Sequence, residues 1–220
     1  CGPKGMYCLD SLCNEFARHR SKRSLSLTIF EPAKNCGAGN VYAQNQPHFL
    51  RMNFPSRKID AWERNELIDC DSDRLGLVDW LAVNHPEFAN PDGFVPRFVV
   101  GKYLSNCFEL VLKNVKRLGS VGIIHERVDN LTRVGDRWQI ESNDEMHLFD
   151  EVLISTGHGG WRAARNIGKD NELPISRPGK VVDSVFPVDK QLSESSISPL
   201  PRNQAGMLGE IFLPLFSCLS

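Results

Sequence analysis

The stretch "CGPKGMYCLDSLCNEFARHRSKRSLSLTIFEP", residues 1–32, decides how the rest of the chain is read. Two glycines, Gly2 and Gly5, bracket Pro3 and Lys4. From Pro3 to about His19, the apolar residues Met6, Leu9, Leu12, Cys13 and Phe16 recur at spacings of three and four, which predicts a helix with one apolar face. Pro3 suits the first helical turn, where its missing N–H costs nothing. Arg18, His19 and Arg20 suit the negative end of the helix dipole. "SLSLTIF" then reads as a strand carrying Leu25, Leu27, Ile29 and Phe30, with Glu31 at its end before Pro32. The order is glycine turn, helix, strand, acid.

That order suits a dinucleotide. A pyrophosphate sits against backbone N–H groups at the positive end of a helix, and side chains in the turn would hold it off. The last glycine of G-x-G-x-x-G lets the helix lie close to its strand, and a carboxylate ending the second strand accepts hydrogen bonds from a ribose diol. Gly2 and Gly5 stand at the second and third glycines, and Glu31 follows Gly5 by 26 positions, slightly more than the usual span of about 20. The first glycine and an apolar strand are expected immediately upstream of Cys1, so the chain reads as a fragment of a longer gene product. Taken alone, G-P-K-G also fits an ordinary turn, and Glu31 a solvated strand end.

Beyond Pro32, "AKNCGAGNVYAQNQPHFLRMNFPSRKIDAW" is rich in Gly, Asn and Pro and predicts a long excursion with little regular structure. "RLGLVDWLAVNHPEF" has helical spacing, and a second long helix is expected from about Phe98 to Leu118, with Tyr103, Leu104, Phe108, Val111, Leu112 and Val115 on one face. From Gly122 onward, short β-type runs separated by Gly135-Asp136 and Asn143-Asp144 predict a small antiparallel meander. A fully buried strand is expected from Glu151 to Ser155, ending at Thr156-Gly157, where backbone can approach a cofactor closely. "LPISRPGKVVDSVFPVDKQLSESSISPLP" reads as loop.

The 220 residues are 41% hydrophobic and 24% charged, with a formal net charge of −1, a balance that favours neither nucleic acid nor an anionic membrane as partner. No apolar run reaches the roughly 18 residues of a membrane span. Asp10, Asn14 and Glu15 interrupt any signal-peptide core. The seven cysteines are odd in number and form no C-x-x-C pair, so reduced thiols in a cytoplasmic protein are expected, with no metal site and no disulfide framework.

Taken together, "GPKGMYCLDSL", "TIFEP", "GAGNVYAQNQPHFLRMNFPS", "VPRFVVGKYL" and "VLISTGHGG" resemble FAD/NAD(P)-binding flavoproteins with two dinucleotide-binding domains, related to flavin-dependent N-hydroxylating monooxygenases. The resemblance covers residues 1 to about 190. It implies an α/β, Rossmann-like FAD-binding domain with a central parallel sheet, a largely helical and loop insertion at about 50–118, and a small antiparallel meander. Residues 191–220 would be a linker and an atypical tail without the family's second glycine turn for NAD(P)H. The chain as written is therefore expected to bind FAD without turnover, on a small-molecule substrate that the motifs do not identify.

The resemblance also implies roles. Gly2, Pro3, Lys4 and Gly5 would form the turn around the FAD pyrophosphate, and Glu31 would hold the adenosine ribose. Gly37, Gly39, Val41 and Tyr42 would lie along the flavin-side loop, with Arg51, Met52 and Asn53 near the ribityl chain or isoalloxazine. Arg97 and Tyr103 would close that region, Val128 would offer backbone to the adenine, and Thr156, Gly157 and His158 would sit near the flavin. Each has a plainer alternative: a solvated charge for Arg51 and Arg97, core for Met52, packing for Tyr42 and Tyr103, a turn for Asn53, and a satisfied loop histidine for His158. No side chain stands out as a catalytic acid, base or nucleophile. An S-adenosylmethionine-dependent methyltransferase, which shares a glycine turn and an acid-ended strand, and a non-catalytic remnant are the competing readings.

Overall fold

The first helix, α1 (Pro3–Arg18), begins where the glycine turn ends, with Gly2 as its N-cap and Pro3 in its first turn. The computed structural model describes residues 1–19, 24–62 and 73–157. Met6, Leu9 and Cys13 of α1 are buried, as the spacing predicts, but Leu12 is exposed and Phe16 only partly covered. Asp10 and Asn14 occupy the rest of the buried face. Asp10 is there because it has a partner: the Arg74 guanidinium donates to both its carboxylate oxygens, at 2.7 and 3.1 Å, and stacks 4.6 Å over the Trp62 ring. A buried charge is tolerated only when paired in this way.

The strand β1 (Leu25–Phe30) follows, and the chain then makes a long crossover. Short 3-10 turns at Asn40–Tyr42 and Ser56–Lys58 are its only regular structure among the described residues before α2 (Leu77–Asn84). The helix α3 (Arg97–Leu118) leads directly into β2 (Gly119–Ile124). β2 lies parallel to β1, with Leu25 opposite Gly119 and Phe30 opposite Ile124. This corrects the expectation that every short run after the long helix joins the meander. Val121 and Ile123 pack on the same core as Leu25, Leu27 and Ile29, so the β2 run is claimed by β1 instead.

The core lies between this sheet and the helices. Val99, Tyr103, Val111 and Val115 of α3 are fully buried, together with Leu81 of α2. Each such side chain contributes about 1.5–3 kcal/mol relative to exposure. Tyr103 carries a polar atom into this core and satisfies it: its hydroxyl donates to the Leu75 carbonyl at 3.0 Å and accepts the Ala61 N–H at 3.1 Å. Burial holds that phenol neutral, well above its ordinary range.

The meander consists of β3 (Asn130–Val134), β4 (Arg137–Ser142) and β5 (Glu145–Phe149), all antiparallel. Its two turns are those the sequence marks. Asn143 and Asp144 have φ of 50° and 65°, the left-handed pair of a tight hairpin. Phe30, at the end of β1, meets His147 and Phe149 edge-on at 5.4 and 6.1 Å, which seats the meander beside the parallel sheet.

The expected buried strand at 151–155 is overturned. No strand forms there among the described residues, and Leu153 and Ile154 are 67% and 65% exposed. An apolar run becomes a buried strand only through ladder bonds to neighbours and a covered face, and 151–155 has no paired strand among the described residues. The architecture is α/β and Rossmann-like: a parallel pair of strands, helices packed against them, and a small antiparallel sheet. No helix among the described residues is long and apolar enough to cross a membrane. The loop at 173–201, the tail and His158 lie outside the described residues.

Candidate functional site

The start of α1 is built from backbone. Helix geometry leaves the first N–H groups without intrahelical partners, Pro3 contributes none, and no side chain caps the helix. The Lys4 and Gly5 amides are therefore available at the positive pole of the dipole. Gly2 faces Gly39 so closely that a Cβ on Gly2 would lie 3.4 Å from the Gly39 Cα. Gly39 itself has φ +63°, a backbone state that favours glycine. Gly5 faces the segment after the meander: a Cβ there would come within 2.6 Å of Ser155 Oγ and 2.9 Å of Cys1 Sγ. Thus Gly2, Gly5 and Gly39 converge, and Ser155 brings Thr156 and Gly157 to the same end of α1. Thr156 and Gly157 are exposed, and Gly157 has φ +78°.

Glu31 stands beside this turn. Its Oε1 accepts the Ala33 N–H at 2.9 Å, and its Oε2 meets the amine nitrogen of Cys1. Each carboxylate oxygen retains a further lone pair for a hydroxyl donor. Just beyond Glu31 opens a groove of about 420 Å³ lined by Ala33, Lys34, Asn35, Gly39, Asn40 and Gln44 among others. That volume falls in the range of small-molecule sites, though the lining here is more polar than most.

The long helix holds this loop in place. Gly37 donates its N–H to the Cys1 carbonyl at 2.8 Å and packs on α3, where a Cβ would sit 2.6 Å from the Leu104 carbonyl oxygen. Ser105 donates to the Cys36 carbonyl at 3.0 Å and accepts from Gln44 at 3.3 Å. The Cys36 thiol is raised above its usual range by burial and then by the Glu31 charge. It is therefore neutral at pH 7.

From Gly39 the turn Asn40–Tyr42 runs to a second group of the sequence-predicted residues. Val41 and Tyr42 are half-buried, and burial raises the Tyr42 phenol although the Arg97 charge opposes it. Residues 50–52 pair with 95–97: Met52 N–H donates to the Val95 carbonyl at 2.9 Å and Arg97 N–H to the Leu50 carbonyl at 2.8 Å. Arg51 donates to the Phe94 carbonyl at 2.8 Å, and Arg97 Nε to the Arg51 carbonyl at 3.3 Å. Arg51, Met52, Arg97 and Tyr42 are thus gathered at the start of α3. Met52 is buried there, and Asn53 is exposed beside it. Tyr103 faces the core rather than this group. Val128 lies apart, exposed on the link between β2 and β3, and Lys4 is exposed on α1.

Three contributors were not singled out as site residues by the sequence. Ser155 and Gly101 meet the site from far along the chain, and His125 touches the Glu31 turn from the end of β2. The spacing of apolar residues reports which face is buried, not which distant residue meets it.

A family profile described as FAD-NAD(P)-binding matches residues 1–159, which takes in the glycine turn, Glu31, the loop and the meander. No curated protein matches the chain.

Proposed function

Since the chain belongs to the FAD-NAD(P)-binding family, we propose that its glycine turn and Glu31 bind the ADP half of FAD, within the FAD-binding domain of an NAD(P)H-dependent, monooxygenase-like oxidoreductase. The observation that carries this reading is the uncapped start of α1 set against Gly39. A Cβ on Gly2 would fill part of that cradle, and the free amides and dipole suit a pyrophosphate. The residues present therefore fit the group. Lys4 and Gly5 amides would hold the phosphates, and Glu31 would accept from the ribose hydroxyls. The loop through Gly39 and Tyr42 leads toward Arg51, Met52 and Arg97, which would orient the flavin end.

FAD, when bound, supplies two-electron chemistry between a reduced nicotinamide and an acceptor. This chain's residues bind and orient it. The neutral Tyr42 phenol offers a hydroxyl near the Arg97 charge, and Arg51 is tied to backbone, so its position costs little further ordering. In this reading the domain runs to about residue 190, with 191–220 as linker and tail. The free thiols of Cys13, Cys36 and Cys107, all buried, support a reducing, cytoplasmic setting.

The test is flavin retention. The purified protein should show flavin bands near roughly 370 and 450 nm, a property of the cofactor. Gly5→Leu should weaken retention strongly, because its side chain crowds Ser155 and Cys1 at the turn. Lys4→Ala should keep it, since Lys4 offers only an exposed, screened charge. Equal retention in the two folded variants would overturn the assignment of the turn.

A further inference from the structure

We propose that His125 is a positioning residue for the ribose end of the site: its imidazole sets the turn that aims the Glu31 carboxylate. The inference rests on the dinucleotide-binding reading above. β1 and β2 end side by side at Phe30 and Ile124, and the Glu31 N–H extends the pairing by donating to the Ile124 carbonyl at 2.9 Å. That register brings His125 beside the turn Glu31-Pro32-Ala33. Its Nδ1 lies 3.1 Å from the Glu31 carbonyl oxygen and 3.1 Å from the Ala33 carbonyl oxygen.

Carbonyl oxygens only accept, so Nδ1 must carry the hydrogen and share it between the two. Ala33 closes the circuit. Its carbonyl accepts from His125, while its N–H donates to Glu31 Oε1 at 2.9 Å. The imidazole therefore holds the carbonyls on either side of the Pro32–Ala33 peptide, whose N–H holds the carboxylate. Ala33 also lines the groove of about 420 Å³, so the fixed carboxylate stands at its edge. Pro32 has no N–H with which to brace the turn. Without the imidazole donor, the Glu31 and Ala33 carbonyls lose their shared anchor, and the turn that presents the Ala33 N–H to the carboxylate is set less firmly.

The consequence is selectivity for a ribose over a deoxyribose. A hydrogen bond from a hydroxyl to an aimed carboxylate is worth roughly tenfold to a hundredfold in affinity. A carboxylate free to turn away recovers little of that preference.

The experiment compares ADP with 2′-deoxy-ADP by calorimetry on the wild-type chain, His125→Phe and His125→Asn, with folding of each checked by circular dichroism. Phenylalanine keeps the ring and removes the donor, while asparagine returns an N–H near the Nδ1 position. The wild type should prefer ADP by roughly tenfold or more. His125→Phe should reduce that preference to within about twofold while binding 2′-deoxy-ADP as the wild type does, and His125→Asn should restore most of it. If the wild type prefers ADP and His125→Phe keeps the preference, the positioning role is overturned alone. If His125→Phe weakens both ligands equally, the residue is merely structural. A wild type with no preference would overturn the ribose role of Glu31, and this inference with it.

Discussion

Gly101→Ala isolates the contact on which the binding loop depends. Gly101 lies in the early part of α3, and a Cβ there would sit 1.9 Å from the Tyr42 carbonyl oxygen and 3.0 Å from its carbon. Cβ atoms essentially never approach within 3.0 Å, so the peptide must retreat by more than 1 Å or the helix must shift. The obstacle is backbone, with no rotamer to relieve it. Alanine improves helix propensity by about 1 kcal/mol. Overpacking costs about 1–3 kcal/mol and occasionally more, and a rigid peptide puts this site at or beyond the upper end. The net expectation is a loss of about 2 kcal/mol, or a fall in Tm of about 4–8 °C for a domain of this size. Tyr42 would move with its carbonyl, so FAD affinity should fall as well. Gly122→Ala is the control, because a Cβ at Gly122 meets nothing within 4 Å. Urea melts of the two variants decide the matter. A Gly101→Ala protein as stable as wild type, or no less stable than Gly122→Ala, would refute the close approach of α3 to the loop.

Other outcomes follow from the same contacts. Asp10→Ala should cost about 3–5 kcal/mol in urea melts, because it strands the buried Arg74 guanidinium, whereas Asp10→Leu combined with Arg74→Met should recover most of the loss. Alkali should destabilise the protein. The Cys13 and Cys107 thiols are pushed up to about 11 and about 12 by burial, from 9.0. The unfolded chain therefore ionises first, and stability that is full below pH 9 falls as pH rises through 9 to 11, by on the order of 3 kcal/mol for Cys13. Cys13→Ala should flatten that slope in pH-dependent melts. Alkylation at pH 7.5 should mark exposed Cys8 and spare Cys13 and Cys107 until denaturant is added, as mass spectrometry of the digests would show.

What the sequence reveals of this fold is what short range determines. The apolar period places α1 and α3 almost to the residue, and Gly135-Asp136 and Asn143-Asp144 mark both hairpin turns. The strand pairs that depend on distant residues are less visible. β2 resembles another meander strand until β1, some ninety positions earlier, claims it. The apolar run at 151–155 carries strand chemistry, but pairing is a property of neighbours, and its Leu153 and Ile154 are exposed. The site divides in the same way. Gly2, Gly5 and Glu31 belong to one local pattern, while His125, Ser155 and Gly101 reach it through tertiary contacts that no spacing announces. Asp10 on the buried face of α1 pairs with Arg74, and nothing local in the sequence points to that partner.

The central claim is that the backbone at the start of α1, facing Gly39, receives the pyrophosphate of a dinucleotide. Amide chemical shifts of the ¹⁵N-labelled chain, titrated with ADP and then FAD, address it most directly. The Lys4 and Gly5 amides should shift most with either ligand, joined by Gly2 and Gly39, with Tyr42 and Met52 responding to FAD alone. Unmoved Lys4 and Gly5 amides at saturating FAD, or shifts confined to another part of the surface, would contradict it.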